Sequence, residues 1–344
     1  FGSRARPRRL PRGLAPGPRM AGHGALEAQL TLAFVTSPVR SNPSTEMVSH
    51  VLGSYLEAGK LWGCTVLLVS DGYTVAAPGQ RERPKAGRVP EEWAANYEEF
   101  RDRLDGLIAS GEDAIFARCT HLRMGEHKGF GCCVHGAIRR MTTPYVLVLQ
   151  HDRPCLRVFD AGAVIAAMEA SQGAVKYVGL PTKASLARVH PDAVESRCGI
   201  PRGESKTPAP DVADAAAAAG VELRVLLFWY DSAHISTASH YNDFVFLRGR
   251  VPGGGFPEDS LGQEFHAAVR VAAAEDAATK ASGGWREVHE AYGTYLLDDG
   301  AGPVVGHLRG RRYTDASELR ERGWAEARLR SVGEAAREAE ETAA

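Results

Sequence analysis

The stretch Tyr145–Cys155 reads YVLVLQHDRPC, and it decides the fold that the sequence predicts. Its first residues are apolar and rich in aromatic and β-branched side chains, which suit the middle of a buried β-strand. Gln150, His151, Asp152 and Arg153 then follow together. Ligands of open α/β sheets bind outside the carboxyl ends of the strands, so polar residues at this point indicate a candidate site.

Two earlier apolar runs end in the same way. Leu30–Pro38 (LTLAFVTSP) becomes small and polar from Thr36 onward, and Thr65–Val69 leads into Ser70 and Asp71. Stretches with helical periodicity separate these runs, and alternation of strand and helix is typical of a mostly parallel sheet with helices on both faces. The sequence therefore predicts an α/β fold whose strands deliver polar groups to one shared edge.

Secondary structure is also predicted in the remaining chain. Ala114–Arg118 (AIFAR) reads as a short strand, and Phe244–Val251 (FVFLRGRV) reads as another. The proline-flanked segment Pro181–Pro210 reads as irregular, whereas Tyr292–Leu297 and Pro303–Leu308 read as a late pair of strands.

Composition excludes several classes of protein. The chain has 344 residues, is 44% hydrophobic and 24% charged, and carries a formal net charge of −1, so no global field attracts nucleic acid or an anionic membrane. No apolar run approaches the ~20 residues of a membrane span. The six cysteines lack CxxC spacing, which disfavours a zinc ribbon or a disulfide framework.

Several nucleotide and hydrolase motifs are absent from the sequence. No Gly-x-Gly-x-x-Gly follows the first strand, and no Gly-x-x-x-x-Gly-Lys-Ser/Thr phosphate loop is present. A Gly-x-Ser-x-Gly nucleophile elbow is missing as well. These absences disfavour a simple dehydrogenase, a P-loop enzyme and an α/β-hydrolase.

The order of the remaining motifs resembles the GT-A type glycosyltransferases, in particular the family-2-like nucleotide-diphospho-sugar transferases. FVTSPVRSN resembles the turn after the family's first strand, LLVSDGYT the Asp-Asp-Gly-Ser turn after the second, and HKGFGCCVHGAI the segment Ala-Arg-Asn-x-Gly-Ile. Gln150, His151 and Asp152 stand where the family has Asp-x-Asp. GGGFPEDSLGQEF resembles Gly-Gly-Phe-x-Glu and the Glu-Asp pair, compressed together.

This resemblance spans Leu30–Tyr313 and implies the domain organisation. It implies a GT-A type, Rossmann-like domain over residues 28–313, with a nucleotide-binding half at 28–155 and an acceptor-side half at 156–313. Residues 1–27 are predicted to be a disordered basic segment, because their first part is rich in Arg and Pro and lacks acids. Residues 314–344 are predicted to form a charged helix.

The resemblance implies transfer of a sugar from a nucleoside-diphosphate sugar to a hydroxyl acceptor, by an inverting and metal-assisted reaction. The acceptor (a glycan, a lipid or a small molecule) is not identified by the sequence. The residues matched to donor contacts are Thr36, Pro38, Asp71, His135, Gly136, Arg140 and Arg311.

Metal and base residues follow from the same resemblance. Asp152, with His151 and His307, would hold Mn²⁺ or Mg²⁺ beside the diphosphate, where a divalent cation stabilises the leaving group. Gln150 replaces the first acid of the family motif and removes one expected charge. Asp259 is the first choice as general base, and Glu258 is the second.

Two other functions stay open at this point. A non-catalytic protein that binds nucleotide sugars or glycans is favoured by Gln150, and a nucleotidyltransferase is conceivable on a related sheet. The location is undetermined: the protein is expected to be soluble, and either cytoplasmic or, if the Arg-rich, acid-free beginning is a transit segment, organellar.

Overall fold

The apolar runs of the sequence form the strands of a central mixed sheet. A computed structural model of the protein describes residues 25–279 and 283–308. The strands are β1 Leu30–Thr36, β2 Thr65–Ser70, β3 Thr74–Val75, β4 Arg88–Val89, β5 Cys119–Arg123, β6 Tyr145–Gln150, β7 Tyr177–Gly179, β8 Leu223–Val225, β9 His234–Thr237 and β10 Thr294–Leu297.

Eight of these strands make one sheet in the order β5-β2-β1-β6-β9-β7-β10-β8, while β3 and β4 pair separately. β1 is parallel to β2 and β6, β5 to β2, and β7 to β10. β9 is antiparallel to β6 and β7, and β8 is antiparallel to β10. The predicted α/β class with a mixed, mostly parallel sheet flanked by helices is confirmed.

Register brings the ends of the central strands level. Thr36 of β1 pairs with Ser70 of β2, and Val35 pairs with Gln150 of β6. The polar residues after these strands therefore meet at one carboxyl edge. The buried residues Leu32, Phe34 and their neighbours fill both faces of the sheet, as expected of a parallel sheet covered by helices.

The helices cover the sheet through spaced apolar positions. In α3, for example, Tyr97, Phe100 and Leu104 recur every three or four residues and are buried. The helices are α1 Leu26–Gln29, α2 Glu46–Ala58, α3 Glu91–Ser110, α4 Phe130–Ile138, α5 Ala161–Ala170, α6 Lys183–Arg188, α7 Pro191–Cys198, α8 Pro210–Ala219, α9 Ala238–His240, α10 Leu261–Thr279 and α11 Gly284–Tyr292. No helix in the described ranges is long and apolar enough to cross a bilayer.

The third strand was predicted in the wrong place. Ala114–Arg118 does not form a strand, because the side chain of Asp113 accepts a hydrogen bond from the amide of Ile115 and holds a turn there. The strand is β5, which starts at Cys119 at the edge of the sheet. An edge strand exposes most of its residues, so β5 lacks the apolar run by which the sequence identifies a strand.

The prediction of irregular structure over Pro181–Pro210 was wrong in part, because the segment contains α6 and α7. Thr182 and Ser185 form a reciprocal capping box at the start of α6. Pro191 occupies the first turn of α7, and Gly199 ends that helix in the left-handed conformation at φ 74°.

The strand predicted over Phe244–Val251 was also wrong. This region begins within a π-helical turn, Tyr241–Val245, and continues as a 3-10 turn, Leu247–Gly249. Its aromatic side chains pack against other rings, as Phe244 does against His240, instead of lining a strand face. In the sheet, β9 lies between β6 and β7. Its buried residues include polar ones, so the sequence has no apolar run that would predict this strand.

Of the late strand pair, only β10 is a regular strand. The second segment instead runs antiparallel to the chain after β6, through one bridge between Cys155 and Val305. The predicted helix at 314–344 and most of the predicted basic segment at 1–27 lie outside the described residues.

Candidate active site

Asp71 organises the loop that joins β5 to α4. Its Oδ1 accepts hydrogen bonds from the amides of Gly72 and Lys128, each at 2.9 Å, and its Oδ2 accepts one from Gly129 at 3.1 Å. The His127 ring nitrogen Nδ1 lies 2.8 Å from Oδ2. Both oxygens of this buried carboxyl group are therefore engaged by the protein itself, which fixes the shape of residues 126–129.

Arg101 and Tyr97 support Asp71 from α3. The Arg101 guanidinium donates to the carbonyl oxygens of Asp71 at 2.6 Å and Met124 at 2.8 Å, and the Tyr97 hydroxyl donates to Asp71 at 3.0 Å. A buried guanidinium that satisfies backbone carbonyls where β2 and β5 end stiffens this part of the carboxyl edge. Sequence reasoning missed Arg101, because its only local signal is a charged residue within the buried stripe of α3.

The loop fixed by Asp71 packs directly on the glycine-rich loop that precedes α10. The Gly131 amide donates to the Gly255 carbonyl at 3.1 Å, and the rings of Phe130 and Phe256 stack with centroids 5.0 Å apart. A Cβ on Gly129 would lie 2.4 Å from the Gly254 carbonyl oxygen. Backbone meets backbone here, which explains why glycine occupies these positions.

Asp152 lies at the end of β6 and faces His307. The Asp152 side chain is 17% exposed, and its Oδ2 lies 3.3 Å from His307 Nε2. Burial would raise the pKa of Asp152, but the hydrogen bond from His307 and the charges of His151 and Arg153 hold it well below its usual range. The tertiary structure thus brings together two residues that the sequence separates widely.

Backbone hydrogen bonds deliver His307 to this position. The amide of Leu308 donates to the Asp152 carbonyl at 2.8 Å, and the amide of Gly306 donates to the Pro154 carbonyl at 2.9 Å. These bonds align the segment beside the chain that leaves β6.

His151 points back toward the first strand. Its Nδ1 lies 2.8 Å from the Thr36 hydroxyl oxygen and accepts a hydrogen bond from the Ser37 amide at 3.2 Å. Since Nδ1 accepts from an amide, it is occupied by the turn after β1 and is not presented to a ligand. Thr36 and Pro38, both predicted to contact the donor, are buried beside this interaction.

Gln150 connects the end of β6 to the chain before β9. Its side-chain amide donates to the Asp231 carbonyl oxygen at 2.7 Å. A carboxylate at position 150 has no hydrogen to donate to this carbonyl. The departure from the Asp-x-Asp pattern therefore has a structural function in this chain.

Asp231 and Glu258 form a reciprocal pair. Asp231 Oδ2 accepts from the Glu258 amide at 2.9 Å, and Glu258 Oε2 accepts from the Asp231 amide at 3.3 Å. Burial raises the pKa of Asp231 well above its usual range, and Asp231 Oδ1 is buried without a hydrogen-bond partner. The pKa of Glu258 is also raised, first by burial and further by the neighbouring charge of Asp259.

The two predicted base candidates differ in their surroundings. Asp259 is exposed, whereas Glu258 is half-buried and its backbone and side chain are both fixed by Asp231. Sequence reasoning missed Asp231. The available signal was the one used elsewhere, since Asp231 directly follows the apolar run Leu226–Tyr230.

The remaining predicted donor residues that the structure describes lie on or just after α4. His135 stacks on Phe246 with ring centroids 4.4 Å apart, and burial lowers its pKa. Arg140 is exposed and donates to the carbonyl oxygen of Gly136 at 3.1 Å, beyond the end of α4 that leads to the start of β6. Arg311 lies outside the described residues.

The described residues contain no group of three or more His, Cys, Asp or Glu side chains arranged to hold a metal ion. Of the predicted ligands, Asp152 Oδ2 and His307 Nε2 converge. One carboxylate and one imidazole fit a divalent cation that takes its other ligands from a substrate diphosphate and water, as Mg²⁺ commonly does. Any bound cation would thus depend on the donor for most of its coordination.

A hydrogen-bonded chain of Ser70, His121 and Asp105 has the connectivity of a hydrolase triad but not its accessibility. His121 Nε2 lies 2.9 Å from the Ser70 hydroxyl oxygen, and Nδ1 lies 2.7 Å from Asp105 Oδ1. Ser70 is completely buried, so no substrate reaches its oxygen. This chain joins β2, β5 and α3 and has a structural role.

Comparison with known proteins finds similarity among solved structures. No protein-family model and no curated protein matches the chain. The structure of TarS 1-349 from S. aureus in complex with UDP is 12% identical, with a TM-score of 0.36, over 79% of this chain and 59% of that one. Mannosyltransferase PcManGT from Pyrobaculum calidifontis, in complex with GDP-Man and Mn2+, is 13% identical, with a TM-score of 0.34, over 71% and 52% of the respective chains.

The chain therefore spans between half and three-fifths of the length of these two glycosyltransferase structures. Glycosyltransferases are thus among the structures that it resembles.

Proposed function

We propose that the protein is a glycosyltransferase that moves a sugar from a nucleoside-diphosphate sugar to a hydroxyl acceptor. The observation that carries this proposal is the pair of carboxyl groups on one edge, Asp152 and Glu258, linked through Gln150 and Asp231. Their surroundings push their pKa values in opposite directions. Such a separation is how one site keeps one carboxylate charged and makes another a base.

The reaction assigns a different part to each carboxyl group. As the bond between the sugar and the diphosphate breaks, its electrons stay on the diphosphate, and a cation held by Asp152 and His307 would neutralise that charge. The acceptor oxygen forms the new bond to the sugar from the opposite face, and its proton passes to Glu258. This single displacement inverts the configuration of the sugar.

Glu258 replaces Asp259 as our first choice for the base. A base needs a fixed position and a pKa near the operating pH, and Glu258 has two hydrogen bonds to Asp231 and a raised pKa. Asp71 is assigned to shaping the loop 126–129 beside the donor, because its oxygens already accept three amide hydrogens.

A thermal-shift screen of UDP-, GDP-, CDP- and dTDP-sugars, with Mn²⁺ or with EDTA, tests the donor part of the proposal. A ligand that binds only the folded state raises the melting temperature, and we expect one nucleotide class to do so more strongly with Mn²⁺. If no nucleotide sugar binds or turns over, the proposal is wrong.

Adjacent variants test the assignment of the base. Glu258→Gln keeps an oxygen for the Asp231 amide, so it should retain donor binding and lose turnover by about 100-fold or more. Asp259→Asn removes the neighbouring charge and should retain most turnover. Equal losses, or a larger loss in Asp259→Asn, would return the base to Asp259.

A binding protein without activity is the second candidate. It is favoured by Gln150, because a glutamine at this position leaves Asp152 as the only acid of the three-residue motif. The Gln150 amide is also committed to the Asp231 carbonyl. Nucleotide affinity that is unchanged by EDTA, together with no turnover of any donor, would support this alternative.

A further inference from the structure

Two arginines line a cleft on the acceptor-side half. The cleft lies between α7, α10 and the segment after β8. Three of its lining residues have basic side chains, namely Arg188, Arg197 and His266, and most of the others are apolar. We call this cleft the arginine pocket. Its lining also includes Val225, Leu227, Phe228 and Cys198.

The guanidinium groups in and beside the arginine pocket form no salt bridge. Arg188 and Arg197 line the pocket, Arg270 lies close to His266 on α10, and none of the three is within salt-bridge distance of a carboxylate in residues 25–279 and 283–308. All three lie close enough to His266 to help burial lower its pKa. Nearby Arg202 shows the contrast, because it pairs with Asp192 at 3.1 Å and Glu195 at 2.9 Å. Unpaired guanidinium groups around a cleft suit an oxyanion.

Arg188 ties this pocket to the proposed base. Its guanidinium lies over the rings of Phe228 and Tyr230, at 4.7 and 5.4 Å from the ring centroids, which holds its planar group in place. Tyr230 directly precedes Asp231, the partner of Glu258. The Arg188 charge also acts on Glu258, where it opposes the rise in pKa. The arginine pocket is therefore a neighbour of Glu258.

We propose that the arginine pocket binds an oxyanion (phosphate, sulfate or carboxylate) carried by the acceptor and thereby presents an acceptor hydroxyl to Glu258. This inference rests on the proposed function for the meaning of "acceptor", but binding of the anion is testable without it. The donor diphosphate belongs beside Asp152, so the pocket serves a second anion. The apolar wall at Val225, Leu227 and Phe228 suits the carbon skeleton that bears the anion.

Inorganic phosphate is the probe for the first experiment. Phosphate is titrated into protein with isotopically labelled histidine, and the His266 signal, assigned with a His266→Gln variant, is followed by NMR. We expect phosphate to shift this signal in the presence of saturating UDP as well as in its absence. No shift, or a shift that UDP abolishes, would overturn the proposal, since the latter places the phosphate in the donor site.

Charge variants locate the bound anion. Arg197 and Arg270 are exposed, so Arg197→Gln/Arg270→Gln should fold and should weaken phosphate binding by about 10-fold. The control Arg103→Gln/Arg202→Gln removes the same charge from exposed positions outside the pocket and should leave the affinity unchanged. The proposal is wrong if both double variants bind phosphate as tightly as the natural chain. It is also wrong if the phosphate affinity of both variants falls by the same factor.

Matched acceptors test the catalytic consequence. Transfer from the identified donor is compared for glycerol with glycerol phosphate and for glucose with glucose 6-phosphate. The phosphorylated member of a pair should react faster, and this advantage should shrink in Arg197→Gln/Arg270→Gln. If uncharged acceptors react equally well, the acceptor assignment is wrong. Transfer to the uncharged acceptors in the same assays would show that the proposed function itself stands.

Discussion

Asp71 and Asp152 follow strands on either side of β1, yet their surroundings differ in kind. Asp71 accepts amide hydrogens from Gly72, Lys128 and Gly129 and is sealed within its loop. Asp152 faces the side chain of His307 and retains 17% exposure. The same sheet edge therefore carries one carboxyl group committed to structure and one available for a ligand. Position at a strand end indicates a site but does not assign a role.

Removing the carboxyl group of Asp71 should have the largest effect on stability. Asp71→Ala leaves three amides without the acceptor that they have in the fold, and we expect the free energy of unfolding to fall by about 3 kcal/mol or more. Chemical denaturation measures this loss. Asp102→Ala is the control, because Asp102 is 71% exposed and its partner Arg123 keeps other carboxylates. A similar small loss in both variants would remove the distinction between Asp71 and Asp152.

The corresponding change at Asp152 should affect turnover instead. Asp152→Ala removes the carboxylate beside His307, and we expect donor turnover to fall by about 100-fold, which corresponds to about 2.7 kcal/mol of transition-state free energy. Steady-state kinetics with the donor from the screen measures the loss. The denaturation midpoint should move less than in Asp71→Ala. Full activity in Asp152→Ala would contradict its assignment to the diphosphate.

Gly129 belongs to the loop fixed by Asp71 and packs against the glycine-rich loop that leads to Glu258. Gly129→Ala places a Cβ 2.4 Å from the Gly254 carbonyl oxygen at a φ of 80°, so we expect a loss of about 2 kcal/mol in unfolding free energy. Turnover should fall with it, since the displaced loop carries Glu258. Gly125→Ala, with open space around its Cβ, is the control and should change neither quantity.

Asp231 should make stability depend on pH. Its pKa is raised, so the folded protein retains a proton that the unfolded chain loses above about pH 4. The free energy of unfolding should therefore fall as pH rises toward the folded pKa, by up to about 1.4 kcal/mol per pH unit. Glu258 contributes in the same direction, because its pKa is also raised.

An uncharged replacement checks this pH effect. Asp231→Asn keeps an acceptor for the Glu258 amide and removes the buried acid whose pKa is raised. The variant should therefore be more stable than the natural chain at pH 7, and its stability should depend less on pH. The exposed substitution Asp243→Asn serves as the control. The free energy of unfolding is measured by denaturation at each pH from 4 to 8. If it changes with pH in the same way for Asp231→Asn and the natural chain, Asp231 is charged in the folded protein.

Much of the central sheet could be predicted because its signals are local. The apolar runs that form β1, β2 and β6 are buried strands, and the polar residues after them mark the carboxyl edge. Elements with buried polar residues or exposed faces escaped prediction. In β9, His234 and Ser236 are buried but hydrogen-bonded to Tyr241 and Lys176, so they do not read as core in the sequence.

The sequence by itself determined the α/β class, the ends of β1, β2 and β6, and the residue types available at that carboxyl edge. Only the tertiary structure decided that Asp231 fixes Glu258 and that Asp71 is saturated by its own loop. The proximity of His307 to Asp152 was an expectation from the resemblance alone, and only the fold brings the two side chains together. Burial patterns are set by neighbouring residues along the chain, and periodicity records them. Pairings between distant residues depend on strand order, register and loop path, which no local pattern encodes.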